Sequence, residues 1–132
     1  MIYLLDTNTC IRFLNPGKST VPDRLAAVSR EEVAICQIVK AELYYGAYRS
    51  TRRDANLALL AKFFSQFESL PFDDAAAEAY GRLRAELTRR GTPIGPNDLM
   101  IAAIALAHDL TLVTHNTAEF SRVPGLRLED WE

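Results

Sequence analysis

Long apolar runs, cysteine, histidine and excess charge are all scarce in this 132-residue chain, and each scarcity closes off a class of protein. The longest uninterrupted apolar stretch, Leu99 to Ala107, falls well short of the roughly 20 residues a membrane span requires. No basic segment opens the chain and its first apolar run stops at Asp6, so neither a secretory leader nor a membrane anchor is expected and the location is expected to be cytoplasmic. Two cysteines, Cys10 and Cys36, allow at most one bridge and lack metal-ligand spacing; in a cytosolic protein they are expected reduced, as small buried hydrophobes. The two histidines, His108 and His115, have no partner at ligand spacing, which disfavours zinc. They also offer little for histidine acid–base catalysis. With 15 Lys and Arg against 17 Asp and Glu, the formal charge of -2 excludes a strongly basic protein that coats nucleic acid.

What is present is a hydrophobic fraction of 48% in a chain of single-domain length, patterned as alternating strands and helices. Ile2 to Leu5 reads as a strand buried on both faces, with Asp6 at its carboxyl end. Asp6, Thr7, Asn8 and Thr9 are capping residues ahead of a short helix through Leu14, stopped by Asn15-Pro16-Gly17. A second helix is expected over residues 22 to 29, a strand over Val33 to Cys36, and a helix from Ile38 to Tyr48 carrying Glu42. An amphipathic stretch from Arg52 to Phe67 precedes a third buried segment, Ser69 to Phe72, and a helix then runs from Asp73 to Arg90. Asn97-Asp98 open an almost wholly apolar helix, Leu99 to His108, and Thr111 to Thr114 is the last expected strand. This order predicts an α/β sandwich around a mainly parallel sheet, as one domain over residues 1–132.

In such sheets ligands bind beyond the carboxyl ends of the strands, where Asp6, Glu42, Asp98, Asn116 and Glu119 are expected to gather. Each alone has an ordinary role: Asp98 as an acid at a helix N-terminus, Glu42 as a solvated helix charge, Asp6 as a cap. Three carboxylates brought to roughly 5 Å of one another repel by about 3 kcal/mol per pair at an effective dielectric of about 20. Such a group either takes up protons or holds a cation, and oxygen ligands with amide and hydroxyl neighbours select magnesium or manganese. A carboxylate-held magnesium suits phosphodiester hydrolysis, which needs no nucleophilic side chain.

Leu4-Leu5-Asp6-Thr7-Asn8, Ala41-Glu42-Leu43 with Gly46, Pro96-Asn97-Asp98-Leu99, and Leu112-Val113-Thr114-His115-Asn116 with Glu119-Phe120, in that order, resemble the PIN-domain nucleases, specifically the VapC-type toxins. The resemblance implies a three-layer α/β/α sandwich forming a single PIN domain over 1–132. It also implies a magnesium- or manganese-dependent endoribonuclease acting on RNA, commonly tRNA and including the initiator species. A VapB-type antitoxin silences such enzymes by threading a segment into the acidic site, and the free toxin is expected as a homodimer. Asp6, Glu42 and Asp98 match the family's metal-binding acids. Where many relatives carry a fourth acid this chain has Asn116, so Glu119 is the candidate to supply that catalytic carboxylate from one turn on. Thr7, Asn8, Thr114 and Asn116 match polar positions that line the site.

Arginine makes up 12 of the 15 basic residues, clustered at Arg49, Arg52, Arg53 and at Arg82, Arg84, Arg89, Arg90, a side chain suited to phosphate. Tyr44, Tyr45 and Tyr48 crowd one helix, where core filling or a protein interface is expected over base stacking. Two alternatives use similar acids. A haloacid-dehalogenase-like phosphatase requires Asp-x-Asp-x-Thr, and this chain reads Asp6-Thr7-Asn8-Thr9. A non-catalytic magnesium-binding signalling module requires a Lys after the last strand, and Thr114-His115-Asn116 offers none.

Overall fold

The computed structural model describes residues 1–132. Five short strands, β1 (Tyr3–Leu5), β2 (Val33–Cys36), β3 (Glu68–Leu70), β4 (Thr111–Val113) and β5 (Leu128–Glu129), form one sheet in the order β3-β2-β1-β4-β5. Every neighbouring pair is parallel, so the sheet is all-parallel rather than mainly so. The helices are α1 (Thr7–Leu14), α2 (Val21–Ala26), α3 (Gln37–Tyr48), α4 (Arg53–Phe64), α5 (Asp74–Arg90), α6 (Pro96–Ala107) and α7 (Thr117–Phe120). Parallel strands need crossover connections, and right-handed crossovers place those running from β1 to β3 on one face and those returning to β4 on the other. The expected α/β/α sandwich is the result.

Burial follows the same logic. Every residue of β2 and β4 is buried, as continuous apolar runs covered on both faces require. The stretch Ile101 to Ala105 of α6 is fully buried, which explains a helix with almost no polar face. Trp131 closes the C-terminal end of the core, with its indole nitrogen donating to Glu129.

Several boundaries differ from expectation for local reasons. Helix α1 begins directly at Thr7, because Asp6 alone caps it and leaves Thr7, Asn8 and Thr9 inside the first turn. Helix α2 stops at Ala26, since Ser29 caps a separate 3-10 turn over Arg30–Glu32. The third segment is not buried: β3 is an edge strand with Glu68 and Ser69 exposed and only Leu70 inside. Helix α6 starts at Pro96, whose fixed φ and missing N–H suit a first helical position.

Ile104→Ala, at a fully buried α6 position, is expected to lower unfolding stability by about 2–5 kcal/mol. Leu59→Ala, at a side chain 55% exposed, should change it by no more than about 0.5 kcal/mol. Urea denaturation of both variants checks the pair.

Candidate active site

The chain runs from β1 outward to β3 and then returns to β4 on the other side of β1, so strand order reverses between β1 and β4. Connections leaving those two strands diverge to opposite faces, and a crevice opens at their carboxyl ends. Asp6 follows β1 and Thr114 follows β4, one on each side of that crevice. Asp6 is only 4% exposed. One carboxylate oxygen accepts from the Thr7 amide at 2.7 Å, capping α1, and the other accepts from the Thr114 hydroxyl at 2.8 Å. The Asp6 amide donates to the Val113 carbonyl at 3.0 Å, which also accepts from the Thr9 hydroxyl at 3.0 Å. Thr7, on the first turn of α1, donates its hydroxyl to Glu42 Oε1 at 2.9 Å and so ties α3 to the end of β1.

These acids share one electrostatic field. Burial raises the Asp6 carboxyl, its hydrogen bonds from Thr114 and Thr7 oppose that rise, and the charges of Glu42 and Glu119 add to it. Asp98 occupies the first turn of α6, where the helix dipole favours an anion. Even so it is pushed up to about 6, first by burial and then by the charges of Asp6, Glu119 and Glu42. None of the four carboxylates is in an ion pair. No three acidic, His or Cys side chains already enclose a common point at ligating reach; the charges stand apart, with Thr7 bridging Asp6 to Glu42 and Thr114 joining Asp6 to the Asn116 backbone amide.

Glu119 behaves differently from the other three. Its Oε1 accepts from the Gly95 amide at 3.1 Å and its Oε2 from Asn116 Nδ2 at 2.9 Å, and these bonds hold its pKa below the usual carboxylate value. Asn116 in turn donates its amide to the Thr114 hydroxyl at 3.0 Å. Hydrogen bonds thus link Glu42, Thr7, Asp6, Thr114, Asn116 and Glu119 in one series, while Asp98 makes no hydrogen bond to them and feels them through their charge. Asn8 does not join the hydrogen-bonded set: it lies exposed on the first turn of α1. The contributions of Gly95 and of Arg122, which donates to the Pro93 carbonyl at 2.9 Å, were not foreseen, since a backbone amide and a loop carbonyl leave no mark on residue type.

Alongside Glu42 runs a groove of about 570 Å³ between α1, α3 and α4, floored by Ile11, Leu14, Leu43 and Leu60 and edged by Arg52. Tyr44, Tyr45 and Tyr48 do not fill the core; they are 41%, 67% and 59% exposed, because α3 turns Val39, Leu43 and Ala47 inward instead. Arg49 stacks over Tyr45 at 5.3 Å, and Arg49, Arg52 and Arg53 have no acidic partner. Arg82 and Arg90, by contrast, pair along α5 with Glu78 and Glu86. His108 caps the C-terminal end of α6, and His115 is an exposed loop residue 2.9 Å from Asp130. Cys10 and Cys36 are free and buried, with both thiols raised mainly by that burial.

A carboxyl raised from its ordinary 3.8 to about 6 in the folded chain destabilises that chain once ionised. The penalty is absent below about pH 4, grows as pH rises, and is complete above about pH 6. Solvent screening of this half-buried group leaves on the order of 1 kcal/mol. Without divalent cations, Asp98→Asn should therefore stabilise the protein by that amount at pH 7.5, and the gain should vanish by pH 4; urea unfolding at the two pH values measures it.

Residues 3–126 match the PIN domain family. Over 98% of its length the chain is 43% identical to the tRNA(fMet)-specific endonuclease VapC of Salmonella typhimurium, of which it covers 97%. It is 41% identical over its whole length to Ribonuclease VapC2 of Rickettsia felis, covering 99% of that protein. Among solved structures, DNA-bound VapBC from Salmonella typhimurium matches with a TM-score of 0.94 at 42% identity, covering 100% of this chain and 99% of that one. These likenesses and the acid-lined crevice leave no place for the phosphatase or signalling-module alternatives: the chain belongs to the PIN-domain family, among the VapC ribonucleases.

Proposed function

We propose that this chain is the toxin of a type II toxin–antitoxin pair, an endoribonuclease that hydrolyses RNA with a magnesium or manganese ion held by Asp6, Glu42 and Asp98. The observation that carries the proposal is the set of carboxylates around the point of strand reversal, with Asp6 and Asp98 raised by burial and by neighbouring acidic charge and with Asp6, Glu42 and Asp98 in no ion pair. The donors fit such an ion. They are all oxygen, the Asp98 carboxylate has no hydrogen bond opposing its raised pKa, and the neighbours Thr7 and Thr114 are neutral hydroxyls, a set that selects a hard divalent cation. A divalent ion there supplies charge compensation at the scissile phosphate and acidifies the attacking water. The chain's own residues supply the frame. Thr114 and the Thr7 amide orient Asp6, and the Thr7 hydroxyl orients Glu42. Protons compete with the cation at Asp98, so cation affinity rises as pH passes through about 6.

Substrate and partner follow from the relatives and the surface. The name tRNA(fMet)-specific endonuclease, carried by a relative 43% identical, supports tRNA as substrate, with the initiator species first, and hence translation as the process stopped in the cytoplasm. Arg49, Arg52 and Arg53, free of acidic partners beside the Glu42 groove, suit its phosphates. Solved relatives from Rickettsia felis and Salmonella typhimurium are VapBC complexes, which supports a VapB-type antitoxin; the apolar groove floor, with Ile11 and Leu59 exposed, suits a partner segment better than RNA.

Sequencing RNA 5′ ends after brief induction tests the proposal and names the substrate together. Cuts at one or a few positions in a tRNA are expected. With purified protein, EDTA should abolish them and Asp6→Asn or Asp98→Asn should slow them by on the order of 10²-fold or more, since removing even an outer partner of a metal ligand costs 10- to 100-fold. Cleavage undiminished in EDTA, or retained by Asp98→Asn, contradicts the proposal.

A further inference from the structure

We propose that Glu119 serves as a positioning residue that holds the start of α6, and with it Asp98, across from Asp6, and that the amide at Asn116 is what allows a carboxylate to do so. For its activity readout this rests on the ribonuclease reading above. The stretch from Gly91 to Gly95 has no regular structure, and Gly95, the residue before α6, provides no side-chain cap. Asp98 lies in the first turn of that helix, so its place in the crevice depends on what fixes this loop. Two bonds do, from α7 and the turn that follows it: Glu119 Oε1 accepts from the Gly95 amide at 3.1 Å, and Arg122 Nη1 donates to the Pro93 carbonyl at 2.9 Å. A four-residue helix is a poor anchor by itself. Here α7 is pinned by Phe120 and Val123, both buried, and by the Asn116 amide on the Thr114 hydroxyl at 3.0 Å.

The bonds form a continuous path. Asp6 Oδ2 accepts from Thr114, Thr114 accepts from the Asn116 amide, Asn116 Nδ2 donates to Glu119 Oε2 at 2.9 Å, and Glu119 Oε1 accepts from Gly95 at the head of α6. Both oxygens of Glu119 are therefore engaged by donors of the protein, unlike those of Asp98. An aspartate at 116 would set an acceptor against an acceptor and break the path, whereas asparagine supplies the donor. Glu119 is held ionised by these two bonds, so it bridges as a charge-assisted acceptor at both ends.

The test uses three variants of the full chain. Glu119→Gln can accept at only one of the two sites, Asn116→Asp opposes two acceptors, and the double exchange Glu119→Gln with Asn116→Asp restores the bridge with the donor reversed. In EDTA, without RNA, exchange of the two hydrogen-bonded amides at the head of α6, those of Gly95 and Leu99, is expected to quicken by about tenfold or more in each single variant, the loss of one hydrogen bond to a charged group. In the double variant it should return to within about threefold of the parent. With magnesium and RNA, each single variant should lose kcat at unchanged KM while still unfolding in one cooperative transition, and the double variant should recover kcat. Unchanged exchange in Glu119→Gln, or quickened exchange with kcat untouched, overturns the proposal. A parent protein that cleaves no RNA contradicts the ribonuclease reading instead, while the exchange measurements still decide whether the bridge holds the loop.

Discussion

A carboxylate buried where two parallel strands part company constrains everything around it. Asp6 is fixed from both sides of the strand reversal, by the Thr7 amide on its own side and by the Thr114 hydroxyl across the crevice. Its backbone amide is bonded to Val113, so the main chain and the side chain of one residue join β1 to β4 and its end. Burying a carboxylate without a counter-charge is unfavourable, and two hydrogen bonds offset only part of that, which is why its pKa rises despite them. The arrangement is stable as protein and incomplete as electrostatics.

That incompleteness is local. Elsewhere the acids are balanced in an ordinary way: Arg127 meets Asp109 at 2.9 Å, Arg90 meets Glu86 at 2.7 Å, and Arg24 meets Glu129 at 3.4 Å. Pairs so exposed contribute little to stability but leave the crevice as the place where negative charge accumulates. With Asp6, Glu42, Asp98 and Glu119 set aside, 13 acidic residues face 15 basic ones, so the rest of the molecule is mildly positive despite a total of -2. A concentrated acidic pocket in a surface with free arginines is what a cation-assisted enzyme acting on a polyanion requires.

Much of this was legible from residue order, and the parts that were not share a physical cause. Val33–Cys36 and the apolar α6 are identified by uninterrupted hydrophobicity, and the placement of Asp6 after β1 and of Asp98 in the first turn of α6 by an acid at a strand end and at a helix start. Helix α7 and strand β5 escaped because four and two residues are too few to carry a period. For Tyr44, Tyr45 and Tyr48 residue type alone does not separate core from interface; the helix face, decided by Val39, Leu43 and Ala47, leaves them exposed and removes the core reading. The edge position of β3 depends on strand order, which local sequence does not contain. For Glu119 the sequence supplied a spare acid near the right place; the use of both its oxygens by Gly95 and Asn116 required the folded chain.

The proposed hold of Asp6, Glu42 and Asp98 on a divalent cation is measured most directly by the unfolding midpoint of the intact chain as manganese is added, without RNA. An ion that binds only the folded state stabilises it by about 2.7 kcal/mol at one hundred times its dissociation constant. The midpoint should therefore climb steadily with manganese at pH 7.5, climb far less at pH 5 where Asp98 is protonated, and stay nearly flat in Asp98→Asn. A midpoint indifferent to manganese at pH 7.5, or one that rises equally in Asp98→Asn, would contradict the account.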